Sequence, residues 1–141
     1  MTHYLDASAI LPMLVTEPKS AAVTRWLAND GDGLIVSEFA AAEVASALSR
    51  LVRMEELDLA AAGAHLADFD AWRAGFTADV TIDAADLRLA NSFVRRFDLG
   101  LRAPDAVHAA ICRRGDHVLV TLDRRLATAA ETLGLRAFVP A

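Results

Sequence analysis

A chain of 141 residues, 55% of them hydrophobic, is long enough to bury one core and too short to divide into two stable halves. A single cysteine, Cys112, excludes an intrachain disulfide, and no Cys/His spacing resembles a zinc site. The net charge of −5 argues mildly against nucleic acid as a partner, yet it hides an uneven distribution: residues 1–87 carry 14 acids and five basic residues, residues 88–141 five acids and nine arginines.

In chain order, "HYLD" is a short β-prone run ending in an acid, and "GLIVS" is a second. Ser37 then stands where a helix N-cap belongs, ahead of a helical stripe formed by Val44, Leu48, Leu51 and Val52. A further pattern with Leu59, Leu66 and Phe69 follows without an intervening strand, so residues 37–74 are expected to form a helical hairpin joined near "RMEELDL". Its Leu66, Phe69 and Trp72 read first as core, and if exposed they would suit the docking of a partner. "ADVTI" is the third strand candidate. Asp83 caps a stripe of Leu87, Ala90, Val94 and Phe97, and after "DLGLR" Pro104 fits the first turn of another helix. "HVLVT", the capping Asp123 and "RAFV" complete the series, and Gly75, Gly115 and Gly134 follow helical stretches.

Five short apolar strands separated by crossover helices predict an α/β domain spanning residues 1–141, with a parallel sheet flanked by helices on both faces. The 30 alanines pack helices closely but add little apolar area, which leaves most of the burial to Leu, Val, Ile and Phe. No apolar run reaches the ~18 residues of a membrane span. Nor is there a basic region followed by a long apolar stretch near the start. A cytoplasmic location and no membrane partner are expected.

In open α/β sheets ligands gather beyond the carboxyl ends of the strands. Asp6 ends the first strand and Asp123 follows the fourth, although for either residue taken alone capping the following helix is the leading explanation. Glu43 lies among alanine and valine at the flank of its helical stripe, with no basic residue within one turn. Asp105 falls in the first turn of a helix, where the macrodipole favours an acid by about 0.3–1 kcal/mol; the alanines around it leave room for another element or a hydrated ion to approach. Were the four to converge, like charges about 4 Å apart at an effective dielectric near 20 would repel by roughly 4 kcal/mol, so a cation would have to sit among them. Oxygen-only ligands point to Mg²⁺ or Mn²⁺ rather than zinc. Ser8 and Thr121 stand beside the first and last acids as supporting hydroxyls, and His108, one turn from Asp105, reads as a core or edge histidine. The pairs Arg95-Arg96, Arg113-Arg114 and Arg124-Arg125, together with Arg102, either contact phosphates or are solvated helix ends.

"YLDASAIL", "SEFAAAEVASAL", "LRAPDAVHAA" and "LVTLDRRL", taken in order over nearly the whole chain, resemble the successive motifs of PIN-domain ribonucleases. More narrowly, they resemble the toxins of VapBC toxin–antitoxin pairs. The resemblance implies a metal-dependent endoribonuclease cutting single-stranded RNA, with Asp6, Glu43, Asp105 and Asp123 as the acids that hold Mg²⁺ or Mn²⁺, and Ser8 and Thr121 at the hydroxyl positions beside them. It also implies a cognate antitoxin and a homodimer. On the residues, Arg102, Arg124 and Arg125 are candidate RNA contacts. A non-catalytic RNA- or protein-binding module is the main alternative. A haloacid dehalogenase-like phosphotransferase needs an aspartate where Ser8 stands, and a receiver domain needs a late-strand lysine in a chain whose only lysine is Lys19.

Overall fold

The computed structural model describes residues 1–141. Its elements run β1 (His3–Leu5), α1 (Ala7–Leu14), α2 (Ser20–Asp30), β2 (Leu34–Ile35), α3 (Glu38–Arg53), α4 (Leu59–Phe76), α5 (Ala84–Val94), a 3₁₀ turn (Phe97–Leu99), α6 (Ala103–Gly115), β3 (Val118–Val120), α7 (Arg124–Thr132) and β4 (Ala137–Phe138). The strands form one parallel sheet in the order β2-β1-β3-β4. Four strands form rather than five. "ADVTI" contributes a single parallel bridge, Ile35 to Ala78, closed by Ala78 N–H to Leu34 O (2.9 Å) and Val36 N–H to Ala78 O (3.1 Å). Asp79 then turns its carboxylate back on the Val80 amide and toward Arg73, which takes the segment out of the ladder.

Successive strand residues point to opposite faces of a sheet, and both faces are covered here. Tyr4, Ile35 and Leu119 join α5, α6 and α7 in one buried cluster. Leu5, Leu34, Val36 and Val120 join residues of α1, α2, α3 and α4 in the other. The register agrees, with Tyr4 opposite both Ile35 and Leu119, and Leu5 opposite Val120. Helix α6 is the central one: seven consecutive residues, Ala106 to Cys112, are buried, so it has no solvated face along that stretch. Its alanines let α5 and the sheet approach from several sides.

The caps fall where expected. Ser37, Asp83 and Asp123 accept backbone N–H groups at the starts of α3, α5 and α7, and Pro104 lies in the first turn of α6. The expected helical hairpin forms, with α3 packed on α4, and α5 packs likewise on α6. Phe69 is core, while Leu66 and Trp72 pack half-buried against it, so they are not an open docking face. The stripe through Leu87 and Phe97 is a correction. The buried face of α5 is Asp86, Ala90 and Phe93, because Arg114 of α6 draws Asp86 inward. The helix ends at Val94, leaving Phe97 on the 3₁₀ turn at 87% exposure. No helix is long and apolar enough to cross a membrane.

Candidate active site

Because β1 and β3 are parallel neighbours, their carboxyl ends lie side by side, and the residues that follow them meet although 115 positions separate Asp6 from Thr121. Asp6 caps α1, with Oδ1 accepting from Ala9 N–H (3.1 Å) and Ser8 Oγ (2.6 Å). Its Oδ2 accepts from Thr121 Oγ1 at 2.6 Å. Each hydroxyl is itself oriented by a backbone amide: Leu122 N–H donates to Ser8 Oγ (2.9 Å) and Asp123 N–H to Thr121 Oγ1 (3.0 Å). The hydroxyl protons are thereby directed at Asp6. Capping and clustering at the sheet end coexist, because an acid that ends a parallel strand and starts a helix occupies both positions at once.

Glu43 lies on α3, two turns into the helix, and its partner comes from α6. His108 Nε2 donates to Glu43 Oε1, while His108 Nδ1 is hydrogen-bonded to the Tyr4 hydroxyl at 2.6 Å, which in turn meets Ser37 Oγ at 2.8 Å. Ser37 Oγ also accepts Ala40 N–H (3.0 Å), so one consistent direction of donation runs Ser37 to Tyr4 to His108 to Glu43, with Nε2 carrying the imidazole proton. His108 is buried at 2% exposure, between Tyr4 and Phe39. The expectation of a satisfied core histidine is right about its environment and incomplete about its role: it fixes the one site acid that lies on α3.

Asp105, in the first turn of α6, is half-buried, with the Arg102 guanidinium 4.0 Å away. Asp105 and Asp123 line one small pocket of about 60 Å³, together with Arg102, Arg125 and Gly100. Gly100 sits in the left-handed region (φ 63°), and a Cβ there would come within 3.3 Å of Arg125 Nη2, so the bare backbone makes room for that guanidinium.

Two of these acids, Asp6 and Asp105, are shifted by their surroundings. Burial pushes the Asp6 carboxyl up from its usual range, against the lowering effect of Ser8, Thr121 and nearby His108. Burial and then the charge of Asp123 push Asp105 up, opposed by Arg102 and His108. The Tyr4 phenol and the Cys112 thiol are driven far up by burial, with Asp6 adding to both, so neither is a nucleophile here. Thr121 links Asp6 to the Asp123 backbone, Asp105 shares a small pocket with Asp123, and Glu43 is held separately by His108.

No three of the His, Cys, Asp or Glu side chains stand close enough together, as they are, to cage an ion. The chemistry of the donor set nevertheless fits a hard divalent cation. The donors are carboxylate oxygens, the Asp105–Asp123 pocket has room for an ion with a water, whose share of liquid volume is about 30 Å³, and two of the acids are raised by burial, Asp105 also by the charge of Asp123. A zinc site with Cys or His ligands has no counterpart.

The arginine pairs divide. Arg113 donates to Leu133 O, and Arg114 holds Asp86; Arg96 pairs with Asp98 and Arg95 with Asn91. Arg124 and Arg125 begin α7 rather than end it, so the helix dipole does not account for them.

Residues 3–132 match the PIN domain family model. Over 140 residues the chain is 36% identical to ribonuclease VapC46 of Mycobacterium tuberculosis (strain ATCC 25618 / H37Rv), an alignment covering 97% of this chain and 96% of that one. The chain is a PIN-domain protein of the VapC ribonuclease family. The fold of this VapC-family member is shared with the crystal structure of M. tuberculosis VapC20, a sarcin-ricin loop cleaving toxin (TM-score 0.72, 17% identity, 91% of this chain and 95% of that chain covered). It is equally similar to a chain of VapBC2 from Rickettsia felis, solved bound to a DNA fragment from their promoter (TM-score 0.72, 12% identity, all of both chains covered).

Proposed function

We propose that this VapC-family chain is a Mg²⁺- or Mn²⁺-dependent endoribonuclease toxin that cleaves single-stranded regions of RNA, with a cognate antitoxin as its inhibitor. The observation that supports this reading is the parallel pairing of β1 with β3, which sets Asp6 beside Thr121 and the start of α7, where Asp123 shares a small pocket with Asp105 and Arg102. The sequence identity to a ribonuclease and the likeness to VapBC complexes support it.

In this reading the four carboxylates hold the metal, which when bound supplies an activated water and neutralises the phosphate and the leaving oxygen. The chain's own residues do the positioning. Ser8 and Thr121 keep Asp6 facing the site through protons aimed by the 121–123 backbone. His108 and Tyr4 hold Glu43 in place against α6. Arg102, Arg124 and Arg125 border the site and meet the flanking phosphates, so binding weakens as salt rises. The antitoxin and a homodimer of the chain belong to the same proposal.

The test is cleavage of single-stranded RNA by the purified chain with Mg²⁺ or Mn²⁺, with EDTA, and with added antitoxin, alongside the Asp6→Asn and Asp105→Asn variants. Cutting that needs the metal and both acids, and that the antitoxin stops, is the expected result. Unchanged cutting by both variants overturns the assignment. Calorimetry showing no Mn²⁺ binding at millimolar metal would favour a non-catalytic binding module.

A further inference from the structure

Three concavities run into one another across the face that carries the acids. A cleft of about 810 Å³ lies against Ser8 and Glu43 and is bordered by Arg50, Arg53 and Arg102. Arg102 also lines the small Asp105–Asp123 pocket. That pocket shares Leu99, Gly100 and Arg125 with a third cleft of about 620 Å³, which contains Arg124, Phe97, Thr128 and Thr132. Glu43 lines the first cleft, with Glu56, and Asp105 and Asp123 line the pocket between it and the third, in a protein whose net charge is −5.

Two of the cleft arginines have partners, Arg53 on Ser49 Oγ (2.8 Å) and Arg102 4.0 Å from Asp105; the other three have none. Four arginines in the chain, Arg50, Arg88, Arg124 and Arg125, make no side-chain hydrogen bond or ion pair within the molecule, and three of those four line the clefts. Arg124 and Arg125 do so at the start of α7, where the dipole opposes a cation. The Asp123 cap offsets part of that opposition, and both guanidiniums still lack an intramolecular hydrogen bond or ion pair. The acid of the third cleft, Asp98, is already paired with Arg96 at 3.0 Å.

Phe97 is the most exposed of the large hydrophobic residues, at 87%. A tight turn displays it: Gly100, at φ 63°, closes the turn with its N–H on Phe97 O (3.3 Å), and the Arg96–Asp98 pair flanks the ring. An aromatic ring beside unpaired guanidiniums, continuous with a phosphodiester-cutting centre, is the combination that binds a single strand: cations follow the backbone and the ring takes a base.

We propose that the RNA strand crosses the acidic centre from the Arg50–Arg53–Arg102 cleft to the Arg124–Arg125 cleft, and that a base on the far side of the cut stacks on Phe97. This deepens the nuclease reading and rests on it. Stacking is tolerant of base identity, so Phe97 contributes affinity and register more than sequence choice.

The test uses the full chain carrying Asp105→Asn, so that RNA is bound without being cut, and reads the fluorescence anisotropy of a labelled single-stranded RNA of about 12 nucleotides in Mg²⁺. In that background Phe97→Ala and Phe97→Leu are expected to weaken binding about fivefold or more, and Phe97→Trp to retain it, since stacking and not mere apolarity is required. Arg125→Ala is expected to weaken binding and to lower the salt slope by about 0.7, the value for one phosphate contact on a single strand. Equal affinity of the Ala, Leu and Phe forms overturns the proposal. So does a Phe97→Ala variant that changes the sedimenting species while binding RNA normally, because the ring would then belong to a contact with a second copy or a protein partner. If the unsubstituted chain cuts no RNA and the Asp105→Asn form binds none, the nuclease reading falls and takes the track with it; cutting and binding that ignore Phe97 overturn the track alone.

Discussion

Two aspartates are buried in this molecule, and they are treated in opposite ways. Asp86 on α5, 1% exposed, receives a two-pronged bond from Arg114 (2.7 and 2.9 Å) and completes a capping box with Asp83. Arg114 holds its carboxyl below the usual range. Asp6, 5% exposed, receives three hydrogen bonds and no charged donor, and burial raises it. One carboxylate is met by a cation of the fold; the other is met only by neutral donors. Burial alone therefore does not decide how an acid is shifted: the guanidinium lowers Asp86, and without one burial raises Asp6.

Removing charge at the two places should produce different kinds of damage. The largest effect expected is on activity: Asp6→Asn should lower RNA cleavage by roughly 10³-fold, about 4 kcal/mol of transition-state stabilisation, with circular dichroism and sedimentation unchanged. Asp86→Ala should instead cost about 2–3 kcal/mol of stability in a urea titration, less than a fully buried pair because Arg114 is about a third exposed, and should leave the activity of the folded fraction intact. A smaller effect is expected one step from the acids: His108→Gln should reduce cleavage and Mn²⁺ affinity about 10- to 100-fold, as the loss of a residue that orients a ligand does, measured by rate assays and calorimetry. The smallest is a gain. Asp105→Asn should raise the melting temperature of the metal-free protein by roughly 2–4 °C at pH 7, since it removes the repulsion from Asp123.

Acid titration sharpens the contrast through sign. The stability that Asp86 contributes is complete above the unfolded carboxyl value of about 3.9 and is lost as pH falls through its lower folded value. Asp6 and Asp105 act the other way: their folded values are raised, so the stability gained from their neutral forms is present below about pH 3.9 and is lost as pH rises through those folded values. Melting curves of the metal-free chain with and without Asp86→Asn should separate the two contributions. A variant whose acid limb matches that of the parent would remove Asp86 from the account.

Much of this was legible in the chain because the relevant signals are local. The strand–acid–helix junctions at Asp6 and Asp123, the caps at Ser37 and Asp83 and the first-turn Asp105 are each written within a few residues. The unread features depend on partners far along the sequence. Glu43 and His108 are 65 positions apart, and Asp86 and Arg114 are 28 apart; nothing in either neighbourhood names the other. The second pair also explains the misplaced face of α5, since a hydrophobic stripe places the core under Leu87 while an ion pair turns Asp86 inward. "ADVTI" has strand composition but only one residue's worth of pairing, because composition reports what a segment tolerates and not how long a neighbouring edge is available. Phe97 looked like the end of a stripe because the helix stop at Arg95 is set by backbone bonds to Asn91 and Phe93, which no side-chain pattern records.

The central strand also ties remote stretches of the chain together. The neighbour that brings Thr121 and Asp123 alongside Asp6 is β3, Val118–Val120. A fragment that stops short of β3 lacks both Asp123 and the strand that places Thr121 Oγ1 on the Asp6 carboxylate. The surroundings of Asp6 are thus assembled by main-chain pairing, and cutting the chain between the two strands' contributions would dismantle them without altering a single side chain of α1.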